Sequence, residues 1–387
     1  MSDETAAPAP EAAAAVAAAP AAGTGPNGCP ITDEFLPPNM KKHVDPKAPV
    51  PLRMMCAKAL VPLAPPDMVG ALFMLTFDAD EKVRETAAAT AAKLQDRVLA
   101  GALRDEGVQE PVLAWLLDQY WQNDGYAEML VLNSHTPDEA VARAAALCSA
   151  RTAEIIAGNQ LRILRDEAIL RALVSNPNVP ASVIDGVCDF CVRSGMLVDL
   201  PQMKEARIRL FGPEAAEKPP DLGPTADAVL QEFGSSSEEA PPMEEGQRIT
   251  FAKQIMKMSV SEKVKLATKG NKEARGILLR DSNRLVAVAA IRNPRITDGE
   301  VLAQILNKGV NDDVLREIYG DREYTKQYPF KLALVKNPKT PQAMSMRFLS
   351  TLRESDVKNL SRDKNVPNVV QQLARKIMEK KENPNKK

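Results

Sequence analysis

Hydrophobic residues recur three and four positions apart over two long parts of the chain, residues 52–211 and 248–378. This spacing is typical of helices with one apolar face. Segment 80–94 shows it well, since its apolar and small positions lie about one helical turn apart: Val83, Ala87, Thr90, Ala91 and Leu94. Because aromatic residues make up only 4% of the chain, we predict helices packed through small and branched side chains.

Short polar residues and prolines predict where individual helices begin. Ser259 and Glu262 form the pattern of a capping box, in which a serine hydroxyl and a glutamate three residues later satisfy free backbone amides. Thr297, Thr340 and Ser355 are predicted N-caps, and Pro341 suits the first position of a helix.

Two segments lack the helical pattern and divide the chain. Alanine and proline fill the first 28 positions, and proline, serine and glutamate fill residues 213–246. Inside the second segment, residues 226–233 form a short amphipathic stretch that we expect to dock as an isolated helix. The predicted organisation is a disordered tail (1–28), an acidic helical-repeat array (29–212) that starts with a proline-rich strap, a linker (213–246), a basic helical-repeat array (247–379) and a basic tail (380–387).

A nine-residue phrase occurs twice in the chain. Residues 172–180 read ALVSNPNVP and residues 333–341 read ALVKNPKTP. The residue before a proline avoids the helical conformation, so each Asn-Pro pair predicts a sharp turn between two helices. Turn asparagines lie 43 residues apart in the first half, from Asn133 to Asn176, and 44 apart in the second, from Asn293 to Asn337. This spacing is typical of HEAT-type solenoids. We assign structural turns to Asn176 and Pro177, Asn293 and Pro294, and Asn337 and Pro338.

The repeated phrase resembles the leucine-rich variant repeat of bacterial proteins, in which N-P-x-T-P precedes a leucine-bearing helix. Residues 337–341 match this motif fully, and residues 176–180 match it except at Val179. The resemblance implies an all-α fold, a right-handed HEAT-like or leucine-rich-variant-like α-solenoid, here in two arrays. Some members of the family carry an iron–sulfur cluster before the repeats. Only Cys29 and Cys56 lie near the start of this chain, so we expect no cofactor.

Charge is segregated along the chain. Residues 1–246 contain 20 Lys and Arg against 36 Asp and Glu, whereas residues 247–387 contain 30 against 15. This asymmetry predicts that the second array docks an acidic surface, on a partner protein or on the first array of the same or another copy. Nucleic-acid binding by residues 248–380 is the alternative. The candidate contacts are Lys253, Lys257, Lys263, Lys265, Lys269, Lys272, Arg275, Arg280 and Arg284.

Other residues with chemical potential have structural interpretations beside functional ones. Cys188 and Cys191 form a C-x-x-C, but a zinc site needs four ligands and the chain has no second pair, so we assign both thiols to the core. The turn asparagines, including Asn365, either grip an extended partner or cap their own turns, and we favour the caps. Trp115 is assigned to the core, and Trp121 is kept as a candidate partner contact.

No catalytic function is predicted from the motifs of the chain. The sequence contains no Walker-type loop, H-E-x-x-H, G-x-S-x-G or dinucleotide fingerprint. No apolar run approaches the roughly 20 residues that span a bilayer. Five scattered cysteines suit a reducing compartment. We therefore expect a cytoplasmic, non-enzymatic scaffold without metal or cofactor, with a cysteine-based redox module as a further alternative.

Overall fold

A computed structural model describes residues 25–105, 107–214, 223–233 and 245–382. In these ranges the chain forms α-helices and short 3-10 turns but no β-strand, so the predicted all-α class is confirmed. No helix in the same ranges is long and apolar enough to cross a membrane. Most of the predicted tail 1–28, much of the predicted linker and the end of the basic tail lie outside the described residues.

The chain divides into two compact units, Met1–Thr152 and Ala153–Lys387. In the first unit, a segment with three 3-10 turns precedes α1 (Val50–Ala57), α2 (Pro65–Leu75), α3 (Glu81–Ala91), α4 (Asp96–Leu103), α5 (Glu110–Tyr120), α6 (Asp124–Leu132) and α7 (Asp138–Ala145). Helix α8 (Ala150–Gly158) includes the point of division.

The second unit holds the remaining helices. In chain order they are α9 (Gln160–Arg165), α10 (Glu167–Ser175), α11 (Ala181–Arg193), α12 (Pro201–Phe211), α13 (Ala226–Phe233), α14 (Glu245–Lys257), α15 (Val260–Lys269), α16 (Lys272–Leu278), α17 (Arg284–Ile291), α18 (Asp298–Leu306), α19 (Asp312–Gly320), α20 (Arg322–Lys326), α21 (Tyr328–Lys336), α22 (Gln342–Leu349), α23 (Glu354–Leu360) and α24 (Asn368–Glu382).

The division lies at residue 152 and not in segment 213–246, where the linker was predicted. Within the second unit, helices from both sides of that segment contact each other, since α9 packs on α15 and α17. The short helix predicted at 226–233 is present as α13, with Val229 buried. Its Phe233 ring packs on Phe251 with centroids 4.8 Å apart. Residues 226–233 therefore contribute packed structure to this unit.

Within each unit, helices contact the next but one in the chain. Helix α1 contacts α3 and α5 contacts α7, while α15 contacts α17 and α17 contacts α19. Ion pairs follow a common step, because several join residues 25 positions apart. These pairs are Arg53 with Asp78, Arg143 with Asp118, Arg248 with Glu273, Arg275 with Glu300, and Arg292 with Glu317. The ion-paired residues are thus closer along the chain, at 25 positions, than the turn motifs, which lie 43 or 44 positions apart.

An N-terminal strap, residues 29–49, covers the first helices as its prolines predict. The strap buries four apolar side chains: Cys29, Ile31, Leu36 and Val44. Its Phe35 ring lies over Gly70 of α2 so closely that a Cβ on this glycine would stand 2.6 Å from the ring. A side chain at position 70 would therefore force the Phe35 ring to move.

The predicted caps are partly right. Ser259 accepts the backbone N–H of Glu262, but the Glu262 carboxylate accepts from Ala226 of α13 and does not complete a capping box. Thr297 and Glu300 form the complete box. Ser355 is wrong as an N-cap, because it lies inside α23 and Arg353 occupies the N-cap position of that helix. Thr340 is also wrong as an N-cap. Pro341, with ψ 138°, occupies that position, because its extended backbone places it one residue before the first helical turn.

Candidate functional site

The Asn-Pro turns use the asparagine side chain twice. The Oδ1 of Asn293 accepts the backbone N–H of Arg295 at 2.9 Å. Its Nδ2 donates to the carbonyls of Ala267 and Thr268, at 2.7 and 2.9 Å. These carbonyls lie at the C-terminal end of α15, where helical carbonyls lack intrahelical partners. The side chain therefore stabilises its own turn and also donates hydrogen bonds to free carbonyls at the end of an earlier helix.

The second turn repeats this arrangement. Asn337 accepts from the backbone of Lys339 at 2.8 Å and donates to the carbonyls of Ile305 and Asn307, at 2.5 and 3.3 Å. Both donor sites of this amide are thus bonded within the second unit, where Asn337 is 4% exposed. The arrangement leaves Asn337, like Asn293, no amide hydrogen with which to grip a partner.

Two further turn asparagines, Asn176 and Asn365, differ from each other in burial and in hydrogen bonding. Asn176 is 2% exposed and accepts from the backbone of Asn178 at 2.9 Å. Asn365 is exposed, and its own backbone N–H donates to Asp363 instead. The prolines after the buried asparagines are exposed and limit the backbone without contributing a polar contact: Pro177, Pro294 and Pro338.

Three of the nine predicted basic contacts have acidic partners within the second unit. Lys263 pairs with Asp281 at 2.9 Å, and Lys265 pairs with Glu262 at 3.0 Å. The third, Arg275, is 4% exposed and donates through Nε and Nη2 to both oxygens of Glu300, each at 3.0 Å. These three cations stabilise the fold and leave little charge for a partner.

The Arg275–Glu300 pair determines the protonation of Glu300. Burial acts to raise the pKa of this carboxyl, but hydrogen bonds from Arg275 and Thr297 outweigh it and lower the pKa below its usual value. Arg275 also donates to the carbonyl of Gly270 at 3.3 Å. Both partners are therefore charged and hydrogen-bonded, as a buried ion pair requires.

The remaining six cations are exposed and form no ion pair with any described residue. They lie on α14, at the junction of α15 with α16, and around the start of α17. We call them the exposed basic set: Lys253, Lys257, Lys269, Lys272, Arg280 and Arg284. Sequence alone does not separate this set from the three paired cations, because their acidic partners lie up to 25 residues away.

One member of the exposed basic set, Arg280, lines a polar groove of about 320 Å³. Two turns of the second unit form the groove, residues 279–282 before α17 and residues 307–311 before α19. The buried side chains of Leu279 and Val310 belong to its lining, and polar groups complete it. The sequence gives no signal for this groove, because no motif relates the two turns.

Trp121 lies in the first unit, whereas the exposed basic set lies in the second. It forms the C-cap of α5 and is half-buried. Trp115 is also half-buried, and its ring packs on Phe73 with centroids 5.4 Å apart. Trp115 therefore belongs to side-chain packing between α5 and α2.

All five cysteines are buried. Burial raises the pKa of Cys188 to about 11, with a smaller contribution from the carboxylate of Asp185. Burial likewise raises the pKa of Cys191 to about 12. The C-x-x-C thus holds protonated thiols of low nucleophilicity. Among the described residues, no group of His, Cys, Asp and Glu side chains has a geometry suited to a metal ion.

Comparison with known proteins finds no matching family model, no similar curated protein and no similar solved structure.

Proposed function

We propose that this protein is a non-enzymatic binding scaffold built from helical repeats, and that its exposed basic set docks an acidic surface of a partner protein. The proposal depends on one observation above all. After the three internally paired cations are removed, six of the nine still face solvent and form no ion pair with the described residues.

The repeat architecture is supported by the packing of several helices on the next but one and by the 25-residue separation of five ion pairs. Such a regular step is typical of α-solenoids, which present long surfaces and few deep cavities. We propose an α-solenoid with a unit of this length in both compact units. Large surfaces of this kind favour partner binding over catalysis.

The proposal is tested with the full-length chain and a fluorescein-labelled glutamate-rich peptide, by fluorescence anisotropy. The first variant changes all six residues of the exposed basic set to Gln. A control variant changes six other exposed cations of the second unit to Gln, which gives the same net charge: Lys336, Arg347, Lys358, Arg362, Lys364 and Lys376.

We expect the wild type and the control to bind the peptide, and to bind less tightly when salt rises from about 50 to about 300 mM. The first variant is expected to lose most of this affinity. Equal losses in both variants would contradict docking at this set. Tighter binding of a duplex oligonucleotide than of the peptide would favour nucleic acid as the partner instead.

A further inference from the structure

We infer that the polar groove between residues 279–282 and 307–311 is a carboxylate site, in which one glutamate side chain of an acidic partner binds Arg280. This inference rests on the proposed function and adds to it the place where the partner is anchored. The groove holds about 320 Å³. That volume is at the lower end of ligand pockets, enough for one side chain and too small for a whole peptide.

The two side-chain amides of the groove already have their oxygens hydrogen-bonded. Oδ1 of Asn307 and of Asn311 already accept the backbone N–H groups of Gly309 and Asp313, each at 2.9 Å. Their Nδ2 groups remain as donors on the lining, beside the exposed hydroxyl of Ser282. A ligand that supplies acceptors therefore satisfies this lining better than one that supplies donors.

Asp281, the acidic residue of the lining, does not repel a bound anion. Asp281 is neutralised, because Lys263 donates to its Oδ2 at 2.9 Å and the backbone N–H of Asn283 donates to its Oδ1 at 2.8 Å. Arg280 is exposed and has no ion pair among the described residues, so it carries the uncompensated charge of the groove. The lining residues thus leave one positive charge, that of Arg280, without a partner among the described residues.

A carboxylate fits this single charge better than a phosphate does. A phosphate monoester brings a charge of about −1.5 to −2 at neutral pH, against one uncompensated guanidinium. Asp312 follows the groove directly and pairs with Lys339 at 3.2 Å, which adds negative charge beside the groove. The planar fork of Arg280 pairs with both oxygens of a single carboxylate. A glutamate of an extended acidic segment is therefore the ligand that the groove selects.

The test uses the full-length protein and the labelled glutamate-rich peptide with three single variants. Arg280→Gln removes the anchoring charge. Gly309→Leu fills the groove without a change in charge, since a Cβ at Gly309 meets only Asn307 Oδ1, at an ordinary contact distance of 3.4 Å. Arg347→Gln is the matched control, because Arg347 is an exposed cation of α22 far from the lining in sequence.

We expect Arg280→Gln and Gly309→Leu each to weaken peptide binding at least about fivefold, and Arg347→Gln to change it less than about twofold. Thermal unfolding of the variants checks that Gly309→Leu remains folded. If Gly309→Leu binds like the wild type, or if Arg280→Gln and Arg347→Gln weaken binding equally, the groove is not the anchor, although the basic set still binds. If the wild type does not bind the peptide at all, the proposed function fails and not only the groove.

Discussion

A single buried asparagine performs two tasks in this protein, and both follow from the chemistry of its amide. The Oδ1 of Asn337 accepts the backbone N–H of Lys339 within its own turn. Its Nδ2 donates to the carbonyl of Ile305 at the end of α18. Because α18 contacts α21, which Asn337 terminates, the side chain joins two helices that pack on each other. The sequence-based expectation of a local cap covers only the first task.

Replacing Asn337 with Ala should destabilise the protein by about 1–3 kcal/mol, because buried backbone groups on both sides then lose their partners. Urea unfolding followed by circular dichroism measures the change. Asn365→Ala is the matched control, since Asn365 is exposed and its side chain makes no contact of this kind within the described residues. Equal midpoints for the two variants would show that the Asn337 amide contributes no stability.

The buried Arg275–Glu300 pair makes stability depend on pH. Its hydrogen bonds lower the pKa of Glu300 from the ordinary 4.5, so the folded state binds its proton less readily than the unfolded state. The stabilisation by the carboxylate is therefore complete above pH 4.5 and is lost as the pH falls through the lowered value.

We expect Glu300→Gln to cost about 3 kcal/mol at pH 7 and progressively less as the pH falls from 5 to 3. Urea midpoints across this range measure the difference from the wild type. Glu317→Gln is the control, because the Arg292–Glu317 pair is partly exposed and should contribute less than about 1 kcal/mol. A Glu300→Gln deficit that is constant with pH would contradict the assigned role of this carboxyl.

Helix α13 shows how much a short element depends on its neighbours. Its eight residues bury only Ala226 and Val229, too few for an isolated helix to be stable in water. Packing of Phe233 on Phe251 and the hydrogen bond from Ala226 N–H to Glu262, 2.8 Å long, attach it to α14 and α15. Amphipathic spacing predicts the helix itself, but this attachment joins residues 36 positions apart and is not visible in the sequence.

Glu262→Ala should therefore loosen α13 more than any other helix of its unit. We expect the amides of residues 226–233 to exchange with deuterium about tenfold faster, since a helix with few buried contacts opens locally. Glu273→Ala is the control variant, because it removes an exposed pair with Arg248 at 3.1 Å and leaves α13 untouched. Unchanged exchange over residues 226–233 would contradict attachment through Glu262.

Across the whole molecule, the sequence predicts what depends on local pattern and fails where distant residues meet. Periodicity predicts an all-α chain, and the helix at 226–233 is placed to the residue. The charge count along the chain does not reveal that Lys263 forms an ion pair with Asp281, or that Arg275 forms one with Glu300. The 43- or 44-residue spacing of the turns does not reveal the 25-residue separation of the ion pairs either. The paired residues, such as Arg143 with Asp118 and Arg275 with Glu300, lie outside the turn motifs.

The buried cysteines allow the opening of each compact unit to be followed in the intact protein. Cys29 and Cys56 report on the first unit, and Cys188 and Cys191 on the second. Burial raises the pKa of Cys56 and of Cys191 to about 12, so at neutral pH these thiols are both shielded and protonated.

We therefore expect the native protein to react with a maleimide at least about a hundredfold more slowly than the urea-unfolded chain at each of these cysteines, since reaction requires the unit to open. Peptide mass spectrometry after timed labelling resolves the sites, and labelling in increasing urea shows which unit opens first. The unfolded chain provides the rate of each thiol without its fold. Rapid labelling of Cys188 or Cys191 in native buffer would show that the C-x-x-C is accessible, and would return a redox role to consideration.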